Sequence, residues 1–300
     1  MPARAYAPAF EAFVAPARRT SQLWLTILGL VLAVLIYTFL IVIMFLILWV
    51  VLGADPDPEM LWLLEMIEAK RPMDMIVLLL TFFGMAGGIM AVVAMLHERP
   101  VWTLFGPGSV VMQDFVVAAL VTSAVMGTLM TLWFQFNEPI PNIDLYTWVS
   151  LLPFVLVLIA VQTGAEELVF RGYLQQQLAA RFASPVVWLI LPSLLFGFAH
   201  FDITKAGSNV WFIVAATGVF GLLAADLTAR TGSIGAAWGF HFANNCFAIL
   251  LIVTDGTLTG LGLYKTPYDI SDAEVVRATL PFGVLMMIAI WFILRRLLSR

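Results

Sequence analysis

Charge is scarce in this chain. Asp, Glu, Lys and Arg make up 11% of its 300 residues, against about 25% in soluble domains. With 62% hydrophobic residues and a mean hydropathy of +0.99, that shortage excludes a water-facing globular surface and leaves a membrane bundle. Cysteine is nearly absent, and the lone Cys246 excludes an internal disulfide. A cleavable leader is not expected, because the first apolar run is too long and no small-residue cleavage site follows it. Histidine occurs three times, so each imidazole is worth placing. The net charge of -4 says little, because in a membrane protein the distribution of charge carries the information. No nucleic-acid partner is expected.

What is abundant is apolar sequence in runs of the ~20 residues that carry a helix across the hydrocarbon core. Eight such runs are read, at about 22–52, 73–96, 109–136, 148–182, 185–200, 209–228, 234–253 and 278–298. The predicted fold is therefore an all-α polytopic bundle of about eight transmembrane helices. Residues 1–20 form an N-terminal tail and 21–300 one membrane-embedded domain. The first run exceeds what a bilayer needs and is expected to tilt. A short interfacial helix is expected within the acidic loop 54–72. Gly84, Gly87 and Gly88 offer one close-packing face, and Gly235 with Gly239 another. Placing both termini inside collects Arg4, Arg18, Arg19, Arg99, Arg171, Arg181, Arg230, Arg295, Arg296 and Arg300 on the cytoplasmic side. Lys70, Arg71, Lys205, Lys265 and Arg277 fall outside, a bias that selects this orientation.

The polar residues within the runs carry the functional information, since ionisable side chains at bilayer depth are costly and rare. Glu166, Glu167 and Arg171 lie inside one apolar helix, and His200 ends the next. Glu166 and His200 are equidistant from residue 183, beside the Ser184-Pro185 turn, so folding there sets both ~25 Å from the hairpin tip. His241 and Asn245, four apart, share a helix face ~15–21 Å from the turn near 231. All five polar groups can therefore meet in one intramembrane cavity.

Such a set suits peptide hydrolysis. Arg171, one turn after Glu167, can pair with it, leaving Glu166 as general base. His200 can help Glu166 orient a water, and His241 and Asn245 can stabilise an oxyanion. Each element also has a plainer reading. A Glu–Arg pair on one helix is as often a structural tie, and a lone buried histidine is more often a packing residue. His97 is assigned to that second class. Asp114 and Asp226 are expected to be solvated or paired near helix ends, and Cys246 to pack.

Glu166-Glu167-x-x-x-Arg171, Phe196-x-x-x-His200 and His241-x-x-x-Asn245 resemble the three motifs of the CPBP family of intramembrane proteases. This family includes CAAX prenyl endopeptidases and bacteriocin-processing or self-immunity proteins. The extended form Glu-Glu-x-x-Phe-Arg-Gly is present as Glu166 to Gly172, and the likeness covers a motif core at about 160–250. The resemblance implies an eight-helix endopeptidase of the cytoplasmic membrane of a bacterium, acting among membrane lipid on a membrane-associated protein or peptide. It implies that Glu166 and His200 activate water, that His241 and Asn245 hold the oxyanion, and that Glu167, Arg171 and Phe196 support them. Members are often called metalloproteases. Here the choice is between no cofactor and one divalent cation such as Zn on Glu166, His200 and His241; there is no HExxH, and the donors are a poor match to a zinc site. An inactive scaffold or immunity protein and a proton-coupled transporter are the competing readings. Transport is the weaker, for want of half-repeats.

Overall fold

The computed structural model describes residues 7–52 and 66–298. The expected interfacial helix around Asp55, Asp57, Glu59 and Glu65 lies outside the described residues, as do Arg4 and Arg300. The chain opens with α1 (Pro8–Val14) and a 3-10 segment, Ala15–Thr20. Then come α2 (Leu23–Leu52), α3 (Pro72–Met95) and α4 (Gly108–Trp133). Helix α5 (Leu145–Arg181) is followed by α6 (Val186–Phe198) and α7 (Val210–Thr231). The last helices are α8 (Gly235–Cys246), continued by a π-helical turn Phe247–Leu251, and α9 (Ala273–Leu297).

Six of the described helices are long and apolar enough to cross a membrane, which makes the protein a polytopic integral membrane protein. The other two expected spans, about 185–200 and 234–253, are present close to those bounds but are short. Helix α6 contains five π-helical and eight α-helical residues, and α8 gives way to a strand at Ile252. Both short helices carry site motifs. A small three-stranded sheet was not foreseen: β1 (Ile140–Pro141) pairs antiparallel with β3 (Tyr264–Asp269), which pairs in parallel with β2 (Ile252–Asp255).

Local chemistry explains where the elements begin and end. Asp144 caps α5 by accepting from the Thr147 amide at 2.9 Å. Asp272 does the same for α9 through Glu274 and Val275. Gly232 ends α7 with φ at 70°, the left-handed region in which glycine is favoured. Its position is also crowded, since an added Cβ would lie 2.3 Å from the Ala9 carbonyl oxygen. Among the described residues three segments are π-helical, at Leu168–Gln175, Val186–Ile190 and Phe247–Leu251. One adjoins each motif-bearing helix, and such interruptions cluster at functional sites.

Close packing follows the glycines. Helix α8 packs most extensively against α4. A Cβ at Gly235 or Gly239 would fall 2.3 Å from the Val111 carbonyl oxygen or 2.2 Å from that of Phe115. On α3, Gly84 and Gly88 face α2, whereas an added Cβ at Gly87 meets nothing within 4 Å. Helix α2 lies at the rim, with only 6% of its apolar window buried.

Away from the motifs, His97 is 2% exposed and pins three segments together. Its ring nitrogens lie 2.9 Å from Thr20 Oγ1 and 2.8 Å from Tyr173 Oη, with the Gln177 amide at 2.9 Å. Packing is its role, as expected. Asp226 is paired, 2.9 Å from Trp291 Nε1 and 3.4 Å from Arg295 Nε. Asp114 is fully buried, 3.5 Å from Ser233 Oγ, so of the two expected environments it takes the paired one.

Two predictions follow from this packing. Gly239→Ala separates α4 from α8 and costs about 1–3 kcal/mol, read as a lower melting temperature in detergent. Gly87→Ala stays within about 0.5 kcal/mol of wild type. Burial, aided by the neighbouring Arg99 charge, pushes the His97 imidazole down to about 4. An unfolded-chain histidine binds its proton near pH ~6.5. Below that pH the unfolded state gains a proton the folded state refuses, so stability falls between those two values. His97→Gln lacks this component, and its melting temperature declines less over the same range.

Candidate active site

The site is built where α5 passes into its π-helical segment. Glu167 is fully buried, and its Oε1 lies 2.8 Å from both Arg171 Nη1 and His241 Nδ1. Arg171 is 1% exposed and donates through Nη2 to the Gly221 carbonyl at 3.0 Å. Its guanidinium carbon sits 4.7 Å above the Phe196 ring, a favourable cation–π arrangement away from water. The Glu167–Arg171 tie read from the spacing is present, and His241 joins it. Because an ionised carboxylate only accepts, His241 donates through Nδ1 and presents Nε2 to the other side.

That other side is Glu166. Its Oε2 lies 3.6 Å from His241 Nε2 and is buried without a hydrogen-bond partner. Its Oε1 accepts from Gln162 Nε2 at 2.6 Å. The far end of the same glutamine, Oε1, accepts from Asn245 Nδ2 at 2.9 Å. Asn245 therefore reaches the carboxylate through an intermediary. Gln162 escaped the sequence reading although it stands four residues before Glu166, on the same helix face. Its signal was a polar amide inside an apolar run, weaker than a charge but visible.

His200 lies just past the end of α6 and donates through Nδ1 to the Phe196 carbonyl at 2.9 Å. Its ring is 4.9 Å from that of Phe196, and His241 meets the same phenyl ring at 5.8 Å. Phe196 is thus a shared platform under Arg171 and both imidazoles. Glu166 and His200 line one cavity of about 330 Å³, whose remaining walls include Tyr37 of α2, Phe82 and Met85 of α3, and Phe170 of α5. The two residues meet across this cavity rather than by direct hydrogen bonding.

A three-donor metal site is not assembled by these side chains. Among the described residues no three His, Cys, Asp or Glu groups are placed to hold an ion. Glu166, His200 and His241 therefore do not fit the three-ligand arrangement of a catalytic zinc. The chemistry available from the chain itself runs through carboxylate, imidazole and amide.

A buried acid pair, two imidazoles and an amide thus come together among membrane-crossing helices. Comparison with known proteins adds to this picture. Residues 148–247 match the family model described as type II CAAX prenyl endopeptidase Rce1-like. That span holds all three motifs together with Gln162. The uncharacterized protein YyaK of Bacillus subtilis (strain 168) is 32% identical over 119 residues, covering 40% of this chain and 39% of that protein. No solved structure matches. The family resemblance drawn from the motifs is borne out over residues 148–247, which supports a CAAX-type intramembrane protease in general terms.

The ion pair has a testable energetic consequence. Arg171→Met strands the Glu167 carboxylate in the interior and costs about 3–5 kcal/mol. Adding Glu167→Gln to that variant removes the uncompensated charge. The double variant should therefore melt above the single one in the same detergent.

Proposed function

We propose that the protein is an endopeptidase that hydrolyses a peptide bond of a membrane-associated protein or peptide. The observation that carries this reading is the Glu166 carboxylate. It has one oxygen held by Gln162, the other buried and unpartnered, and it faces an apolar cavity that it shares with His200. In this mechanism a water bound between Glu166 Oε2 and His200 Nε2 attacks the substrate carbonyl carbon and gives its proton to Glu166. The carbonyl oxygen takes up the negative charge and accepts hydrogen bonds from the second N–H of Asn245 Nδ2 and from His241. His241 donates through Nε2 while its Nδ1 stays on Glu167 Oε1. Collapse of the tetrahedral intermediate breaks the C–N bond, and the proton on Glu166 passes to the leaving amine.

The apolar cavity walls suit a substrate whose flanking segment or attached lipid is hydrophobic. No step in this scheme requires a metal ion. The bias of arginine toward one side supports an orientation with both termini in the cytoplasm, with residues 21–300 forming one membrane-embedded unit. The relative matched over 119 residues is bacterial, consistent with residence in the cytoplasmic membrane of a bacterium.

The test is Glu166→Gln. Cells carrying this variant should accumulate one or more membrane proteins by quantitative proteomics. Cleavage of those proteins by the purified variant should fall by about 10²–10⁴-fold. Cleavage at the wild-type rate would sink the general-base assignment. Unaltered biological activity in Glu166, His200 and His241 variants alike would mark the protein as a scaffold.

A further inference from the structure

We infer that Gln162 is a positioning residue that locks the general base and the oxyanion-binding amide into one register; the inference rests on the hydrolase reading of the site. Gln162 is buried, at 6% exposure. It makes two hydrogen bonds, and chemistry fixes their direction. A carboxylate offers no proton while ionised, so the group facing Glu166 Oε1 at 2.6 Å must be the Gln162 NH₂. The Gln162 carbonyl then faces Asn245 at 2.9 Å, and Asn245 must present its NH₂ there. The polarity runs one way, from Asn245 through Gln162 to Glu166.

Each end gains something from this chain. At Glu166, fixing Oε1 fixes the plane of the carboxylate and leaves Oε2 as the oxygen that looks toward His241 Nε2, 3.6 Å away. At Asn245, one N–H is committed to Gln162 and the amide cannot flip. Asn244 Nδ2, 3.3 Å from Asn245 Oδ1, holds the opposite face. The second Asn245 N–H is thereby directed as a donor in a fixed orientation. Gln162 itself is held by the helix: it lies one turn before Glu166, so both project from the same face of α5. Gln162 does not itself line the cavity and reaches it only through Glu166.

The experiment compares wild type, Gln162→Leu, Gln162→Met and Asn245→Ala in proteoliposomes, by two readouts. The first needs no substrate: modification of Glu166 by dicyclohexylcarbodiimide, followed by mass spectrometry. Releasing Oε1 from the amide should speed labelling severalfold in both Gln162 variants, and Asn245→Ala should give a smaller rise. Equal labelling rates in all four proteins would overturn the inference. The second readout is cleavage of the membrane protein that accumulates most in Glu166→Gln cells. Displacing the base by a fraction of an ångström should lower kcat by up to about 100-fold, with KM held within about twofold. Combining Gln162→Leu with Asn245→Ala should cost less than the sum of the single effects, because Gln162 also orients the Asn245 amide. Fully additive losses, or a change confined to KM, would also overturn it. Gln162→Met is close to isosteric and guards against a folding defect in the leucine variant. If Glu166→Gln accumulates nothing, the hydrolase reading fails by itself, and the labelling rates alone decide whether Gln162 positions Glu166.

Discussion

A carboxylate without water must find its compensation in protein, and in this molecule that requirement organises everything around α5. Burying an ion in a low-dielectric interior carries a penalty of several kcal/mol. Glu167 meets it with two partners on one oxygen, Arg171 from its own helix and His241 from α8. Arg171 in turn needs the Gly221 carbonyl and the Phe196 face. One buried charge therefore recruits α6, α7 and α8 to α5. Glu166, the neighbouring residue, has less compensation: Gln162 on one oxygen and His241 Nε2 3.6 Å from the other.

The bundle geometry serves that arrangement. Glycines on α8 let α4 approach to backbone contact, which holds His241 and Asn245 at the level of the glutamates. The polar cluster at His97, Tyr173 and Gln177 ties the C-terminal part of α5 to the N-terminal segment. Helix α5 is thereby anchored at the glutamates and again near its C-terminal end, and its π-helical segment begins directly after Glu167.

Much of this was legible in residues that are rare in apolar sequence. Spacing of four put Glu167 beside Arg171 and set His241 and Asn245 on one face, and both relations hold. The hairpin argument placed His200 near Glu166, and the two do line a common cavity. Gln162 went unread because an uncharged amide does not announce itself at membrane depth as a carboxylate does. The sheet was illegible for a different reason. Ile252, Val253 and Thr254 continue an apolar run, and a short run of β-branched residues suits helix or strand equally by pattern. Only pairing with Tyr264 and Lys265, far along the chain, decides it.

Helix α6 and helix α2 both contribute walls to the cavity that holds Glu166 and His200, yet they differ greatly in length. The 30 residues of α2 would extend ~45 Å, and the five π-helical and eight α-helical residues of α6 rise no more than ~20 Å, against ~30 Å of hydrocarbon. A bilayer of one thickness cannot match both. Set in a bilayer, α2 would meet this mismatch by tilting and α6 by local thinning of the lipid, at a fraction of a kcal/mol per ångström. The thin side is then the side of His200, where headgroups and their water come nearest to the cavity.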